Sequence, residues 1–526
     1  SFTGPAGTIR LFFSTFQVIW PCFCSKNMSH STSTSPKVVV VGSGFAGLSA
    51  ASVLASKGYR VRLLEKNSEP GGRARVLSEA GFRFDMGPSW YWMPDVFEQY
   101  FGLFGRKVSD YYELVRLDPA YTIVYGPEQR LVVPAQAEAL EALFESYEKG
   151  AGLKLRSFLK QAAYKYEVGI RDLVFKPGRS LGEFLSPRLI WDVLRMDVFK
   201  SMASHVRAHF KHPHLVQMME FPVLFLGATP RNTPALYSLM NYADLGLGTW
   251  YPMGGMGKIV DGMVSLAQEL GVEIIYNQEV KSVKSQGGRV RSVLTMDNEY
   301  EADAVVVGAD YRHFDQEILP PDHRNYSASY WESRVLAPSS LLFYIGLSKP
   351  LEGLTHHTLF FDEDFGVHAE EIYTHPQWPS KPLFYTSLAS KTDPGVAPAG
   401  MENLVILIPL APGLEDTEEL REKYYHLIMD RFERLTGQAI RSHVVYRKSY
   451  AHRDFVKDYH SFKGNAYGLA NTLTQTALLK PSLKHKTLSN LYFCGQLTVP
   501  GPGVPPSLIS GQVVAGELMK EHPLKA

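Results

Sequence analysis

The chain has 526 residues, of which 45% are apolar and 20% charged; this is enough for a large core and lies outside the composition of disordered chains. A formal net charge of +1 gives no bulk electrostatic support for nucleic-acid binding. Three cysteines, Cys22, Cys24 and Cys494, supply neither a disulfide framework nor metal-ligand spacing and favour a reducing compartment. Aromatic residues, at 12%, suit the handling of an apolar ligand as well as a large core.

Residues 1–36 differ in character from the rest of the chain. The apolar run Leu11 to Trp20 is too short to span a bilayer, and the first methionine is Met28. We expect this leader to be disordered, non-native or targeting sequence, with folding starting near Lys37.

Val38 to Val41 suit a strand buried on both faces. Next come Gly42-Ser43-Gly44-Phe45-Ala46-Gly47, an alanine-rich run that reads as a helix stopping at Gly58, and a strand from Tyr59 to Leu64. Gly42 allows the turn, Gly44 lets a pyrophosphate approach the backbone, and Gly47 lets the helix pack on the sheet; the helix N-terminus offers N–H groups to phosphate. Glu65 stands where an acid meets ribose hydroxyls, and its charge disfavours a 2′-phosphate and hence NADP. These residues alone specify a dinucleotide, with NAD and FAD equally open.

Gly71-Gly72-Arg73 brings a flexible backbone and a guanidinium next to that acid, and Phe82 to Ser89 read as a strand into a Gly-Pro turn. The aromatic patch from Trp90 to Phe104 suits core packing, with a substrate channel as the alternative. Residues 135–215 read as largely helical, and the basic amphipathic stretch Ile190 to Phe210 suits either a membrane surface or a packed second domain. His205, His209, His212 and His214 cluster without an acid to complete a zinc motif, so no metal is expected. A helix from Ile259 to Leu270, strands at 272–276 and 290–296, and Asp303 to Asp310 return the chain to the first sheet. Near the end, Gly495-Gln496 leads through a Pro/Gly-rich loop containing Gly503-Val504-Pro505 into a small-residue helix.

The Glu65-Lys66 pair, Gly-Gly-Arg and Asp85-x-Gly87-Pro88, in this order, resemble the large FAD flavoprotein superfamily of amine oxidases and carotenoid desaturases. Trp250 to Met256, the Gly-Val-Glu-Ile strand at 271–274 and the Ala-Asp-Ala-Val-Val run at 302–306 are similar to the bacterial and fungal phytoene desaturase family. The match extends through Pro338 to Gly346, Thr355 to Thr358, Thr392 to Pro394, Gly464 to Gly468 and the loop after Gly495. It departs at Gln496-Leu497 and at Val499. The resemblance implies FAD as cofactor, held by Gly42, Ser43, Gly44, Phe45, Ala46, Gly47, Glu65, Lys66, Gly72 and Arg73. It adds Val280 at the adenine and Gly495, Gln496, Gly503, Val504 and Pro505 at the flavin.

The fold expected is α/β. A discontinuous Rossmann-like FAD domain takes 37–130, 245–310 and 480–526; a helical, membrane-associating region takes 131–244, and an α+β substrate domain takes 311–479. The activity implied is desaturation of phytoene, a polyene without a polar head, by hydride transfer to flavin with loss of a proton. A quinone or oxygen would reoxidise the flavin, and the enzyme would contact a membrane peripherally on the cytoplasmic face, with organelle targeting left open. No residue is assigned as proton acceptor; Glu183, Arg231, Asp244 and His356 are the polar candidates. A related carotenoid desaturase or isomerase remains open through the two departures. An amine oxidase or protoporphyrinogen oxidase shares only the first motif. A non-catalytic isoprenoid-binding protein on this fold would be expected to lose the flavin signature.

Overall fold

The computed structural model describes residues 35–185, 188, 191, 200–226, 229–472 and 475–524. The expected leader, apart from Ser35 and Pro36, and residues 190 and 192–199 of the stretch Ile190 to Phe210 lie outside these residues; within that stretch, Met202–His209 is a helix.

Strand β1 (Lys37–Val41) has its four valines buried, as a strand covered on both faces must. Helix α1 (Phe45–Ser56) leaves its N-cap at Gly44, and every residue from Phe45 to Leu54 is buried. That full burial is why it is built of Ala, Ser and Gly, not of an amphipathic pattern. Strand β2 (Arg60–Leu64) completes the unit, pairing with β1 in parallel register. The parallel sheet runs Leu491–Phe493, Ala304–Val307, β1, β2, Glu273–Ile275, so remote parts of the chain meet beside the glycine loop.

The helix Val504–Glu521 lies directly on α1. A Cβ on Gly511 would fall 2.2 Å from the carbonyl oxygen of Ala46, so the two backbones touch there. Ser49 Oγ donates to the Leu508 carbonyl at 2.8 Å across the same contact.

A seven-stranded sheet forms the other half, in the order Val444–Tyr450, Ser339–Leu347, Glu402–Leu410, Phe384–Ser387, His357–Phe360, Tyr121–Gly126, Gln129–Val133. Its pairings are antiparallel except that of His357–Phe360 with Tyr121–Gly126. The expected boundary at 130/131 falls inside the hairpin of the last two strands, which belongs to this sheet and not to the parallel one. Between 137 and 220 the helices Ala137–Tyr147, Ala151–Val168, Met202–His209 and Pro213–Glu220 supply the helical region. Among the described residues, no helix is long and apolar enough to cross a membrane.

Because Gly511 sits at backbone contact, Gly511→Val should cost about 1–3 kcal/mol through overpacking. The thermal midpoint of the variant checks this; an unchanged midpoint would mean that the helices are not held so closely.

Candidate active site

A cavity with about 460 Å³ of space open to water is lined from both sheets. Its polar end is the glycine loop. Gly44 caps α1 without any side chain to bond the first N–H groups, and a Cβ there would meet nothing within 4 Å. The loop backbone therefore fronts open space beside a positive helix end, which fits a pyrophosphate. Gly503 likewise caps the helix Val504–Glu521 without a side-chain bond, and Gly503, Val504 and Pro505 line the same cavity. Two uncapped helix N-termini thus converge on it.

Glu65 closes this end. Its Oε2 accepts from Ser43 N at 2.9 Å and Ser43 Oγ at 2.7 Å, and its Oε1 accepts from Asn67 N at 2.9 Å and Asn67 Nδ2 at 3.0 Å. These donors fill the roughly four lone-pair positions of a carboxylate. Ribose hydroxyls would take the places of the two rotatable donors, Ser43 Oγ and Asn67 Nδ2, while the backbone N–H groups keep the acid in place.

Arg73 is half-buried with its Nε enclosed; desolvation lowers its pKa, with Asp310 the main charge acting against that. Its Nη2 donates to Ser461 Oγ at 3.0 Å, its guanidinium lies over Tyr459 at 5.2 Å, and its Nε has no partner. Gln496, with its amide turned to satisfy both ends, accepts from Arg73 Nη2 at 3.0 Å and donates to the Tyr467 carbonyl at 3.1 Å. A half-buried cation with an enclosed, unused donor suits an anionic ligand.

Gly42, Gly44, Phe45, Ala46, Glu65 and Lys66 all line the cavity. So do Gly72, Arg73, Val280, Gly495 and Gln496. Ser43 and Gly47 stand behind it: Ser43 holds Glu65, and a Cβ on Gly47 would lie 1.9 Å from the Gly42 carbonyl oxygen.

Some residues at this end carried no sequence signal. His460 Nε2 lies 2.8 Å from Glu279 Oε1 and 3.2 Å from Lys66 Nζ, and its ring stacks on His313 at 3.9 Å. Burial, then the neighbouring His460, depress His313 to about 4. Asp458 pairs with Arg75. All lie close to the loop after His452–Tyr459, just upstream of the Gly464–Gly468 segment that the family pattern picks out.

The other end of the cavity is apolar. Trp90, Trp92, Phe221, Leu359, Phe361 and Leu383 line it, so part of the aromatic patch forms a chamber wall. The rest, Tyr91, Phe97, Tyr100 and Phe101, is core. His368 also lines the chamber, but Nε2–H donates to the Pro409 carbonyl at 3.0 Å and Nδ1 accepts from Leu383 N at 3.0 Å; burial depresses it to about 4.

None of the four polar candidates lines the cavity. Glu183 accepts from the backbone N–H groups of Gly178, Arg179 and Ser180. Arg231 is exposed. His356 is buried against Thr392, Nδ1 to Oγ1 2.8 Å. Asp244 lies behind the tryptophans: Tyr121 Oη donates to it at 2.8 Å and Thr249 Oγ1 at 3.4 Å, and Trp92 Nε1 donates to Thr249. Among the described residues no three His, Cys, Asp or Glu side chains converge as metal ligands.

The family profile described as flavin containing amine oxidoreductase matches residues 45–519. A carotenoid 3,4-desaturase of Haloarcula japonica is 42% identical over 487 residues, covering 92% of this chain and 98% of its own. The chain belongs to the flavin-containing amine oxidoreductases, and within them to the carotenoid desaturase family. A zeta-carotene-forming phytoene desaturase of Myxococcus xanthus is 31% identical to it over 491 residues, covering 92% and 94% of the two chains. The cyclohexylamine oxidase of Brevibacterium oxydans shares the fold, with a TM-score of 0.56 at 14% identity over 93% of this chain and 99% of its own. This desaturase-family member is therefore an FAD-dependent oxidoreductase acting on carbon–carbon bonds, and the polar end of its cavity fits that cofactor.

Glu65→Ala removes the charged acceptor at the ribose position and should weaken FAD by about 10–100-fold, the weight of one charge-assisted hydrogen bond; flavin absorbance of the dialysed protein reads it. Wild-type flavin content would refute the ribose assignment. Burial raises Asp244 from 3.8 to about 7. The stability this confers is complete below the ordinary carboxylate range and is lost as pH rises through about 7. Asp244→Asn should flatten the fall in thermal midpoint between pH 4 and 7; an unaltered pH dependence would contradict the shift.

Proposed function

We propose that the protein is a phytoene desaturase, introducing double bonds by successive removal of hydrogen pairs. The observation that carries this reading is the joined cavity: uncapped helix ends and Glu65 at one end, Trp90, Trp92, Phe221 and Phe361 at the other. A hydrocarbon without a polar head is recognised by shape and apolar contact, and that chamber offers no charged side chain to address. FAD, when bound, supplies the two-electron acceptor for the C–H bonds that break. The protein's share is to hold the dinucleotide by the Gly42–Gly47 loop and Glu65, to set the polyene against the tryptophan wall, and to exclude water.

A second reading is favoured by a specific observation. The 42% identity across almost the whole of a carotenoid 3,4-desaturase supports a more conjugated carotenoid as substrate, dehydrogenated near its end.

Either substrate resides in a bilayer. Leu185 and Trp191 are exposed at 63% and 58%, on either side of the basic Arg188 in sequence, which supports peripheral membrane contact. Reduced flavin would then pass its electrons to a quinone or to oxygen.

The test is purified, FAD-loaded protein with phosphatidylcholine liposomes carrying phytoene or lycopene and a quinone, with extracts read by absorbance and chromatography. Coloured products from phytoene support the first reading. A red shift of lycopene with phytoene untouched selects the second. Geometric isomers without added double bonds, or no change in either, would refute desaturation of these carotenoids.

A further inference from the structure

A dehydrogenation must dispose of a proton as well as an electron pair. The acids that line the cavity are held within the ionic group at its nucleotide end: Glu279 with His460 and Lys281, Asp458 with Arg75, Asp310 beside Arg73, and Glu65 in its ring of donors. Past them, the titratable groups that line it are Cys494, His368, Tyr373, Tyr385 and Tyr467. Burial pushes the Cys494 thiol up to about 12, and its Sγ lies 3.6 Å from the Val307 carbonyl oxygen. His368 uses both ring nitrogens, on Pro409 and Leu383. Tyr385, by contrast, meets a side-chain base. Its Oη lies 2.6 Å from His357 Nδ1 and 3.0 Å from Ser89 Oγ.

His357 is fully buried, and its Nε2 has no partner. Its ring stacks on Trp90 at 4.2 Å and 12°, so the indole that lines the chamber also fixes the plane of the imidazole. The arrangement lies toward the flavin end. Ser89 comes directly after the Gly87-Pro88 turn, where a Cβ on Gly87 would fall 2.4 Å from the Arg73 carbonyl oxygen. Tyr467, whose carbonyl meets the Gln496 amide, lines the same cavity as Tyr385.

We propose that Tyr385 is the catalytic group that takes the proton leaving the substrate, with His357 as the positioning base behind it and Ser89 orienting its hydroxyl. This rests on the reading of the protein as a carotenoid dehydrogenase. One hydrogen leaves carbon with its bonding pair, as hydride, to the FAD oxidant, in a reversible step that proton loss makes permanent, so net bleaching of the flavin waits on the base. The neighbouring C–H bond then gives its pair to the new C=C, and its proton passes to Tyr385 Oη as the tyrosine's own proton moves to His357 Nδ1. The substrate cation becomes a neutral polyene, and the positive charge ends on the imidazole. Burial holds His357 well below 6.5, which makes it a weak base. A carbocation with an adjacent C–H is acidic enough for a weak base to suffice. This fixes the tautomer: Nδ1 accepts from Tyr385, and Nε2 carries the ring hydrogen.

The experiment compares FAD-loaded wild type, Tyr385→Phe and His357→Gln in anaerobic single turnovers, with flavin bleaching followed against phytoene or lycopene in phosphatidylcholine liposomes. Tyr385→Phe should slow bleaching by about 100-fold while half-saturation stays within about twofold, as expected for loss of a general base. FAD content should match wild type, and the solvent deuterium effect on the wild-type rate should vanish. His357→Gln should slow the step by about 10-fold, since an amide holds the tyrosine but takes up no proton. Apart from turnover, 15N-histidine spectra should show His357 with a bare Nδ1 whose resonance moves in Tyr385→Phe. A folded, FAD-loaded Tyr385→Phe that bleaches at the wild-type rate, or a hydrogen on Nδ1, overturns the proposal. Should Tyr385→Phe not fold, His357→Gln decides: wild-type rate and isotope effect overturn it, and loss of both supports it. Wild type that is bleached by neither carotenoid defeats the functional reading, and the proposal falls with it.

Discussion

A pyrophosphate and a hydrocarbon ask opposite things of a protein wall, and the architecture depends on meeting both in one cavity. Phosphate needs unpaired N–H groups and fixed positive charge; a polyene needs their absence. The fold separates these demands by source. The polar end comes from backbone, where α1 and the helix Val504–Glu521 both begin at uncapped glycines. The apolar end comes from side chains, above all the Trp90–Trp92 wall and Phe221. Contact between the helices at Gly511 and Ala46 keeps the two N-termini side by side.

Polar residues near this junction are satisfied by one another, and that limits what each can do. Glu65 is braced by Ser43 and Asn67, which fixes its carboxylate and lowers the entropic cost of binding. His368 is spent on Pro409 and Leu383. Asp244, although its proton is held up to about pH 7, lies behind Trp92 and Thr249. Against that background, the unpaired Nε2 of His357 and Nε of Arg73 stand out as buried polarity left without a partner, and both lie beside the cavity or in its wall.

The cofactor half was legible in the sequence because its chemistry is backbone chemistry. Glycine spacing, a valine strand and an acid at the next strand end are local patterns, and β1, α1 and β2 occupy nearly the residues expected. The chamber was legible only in part. Trp90 and Trp92 belong to a patch whose remaining members are core, and local sequence does not separate the two roles. Tyr385, His357 and Ser89 come from three distant segments joined by the seven-stranded sheet and the turn after Asp85. No spacing rule links 89, 357 and 385, so their meeting is a product of topology. The boundary expected at 130/131 cuts the hairpin Tyr121–Val133 for a similar reason: its pairing partner, His357–Phe360, lies more than two hundred residues away.

If one continuous cavity holds the dinucleotide and the carotenoid end to end, a crystal structure of the protein loaded with FAD and lycopene shows it most directly. The pyrophosphate should then lie at Gly44 and the flavin ring between Ser89 and the Gly495–Val504 loop, with the polyene running along Trp90, Phe221 and Phe361. A flavin ring outside that junction, or a carotenoid bound elsewhere than in the aromatic chamber, would contradict it.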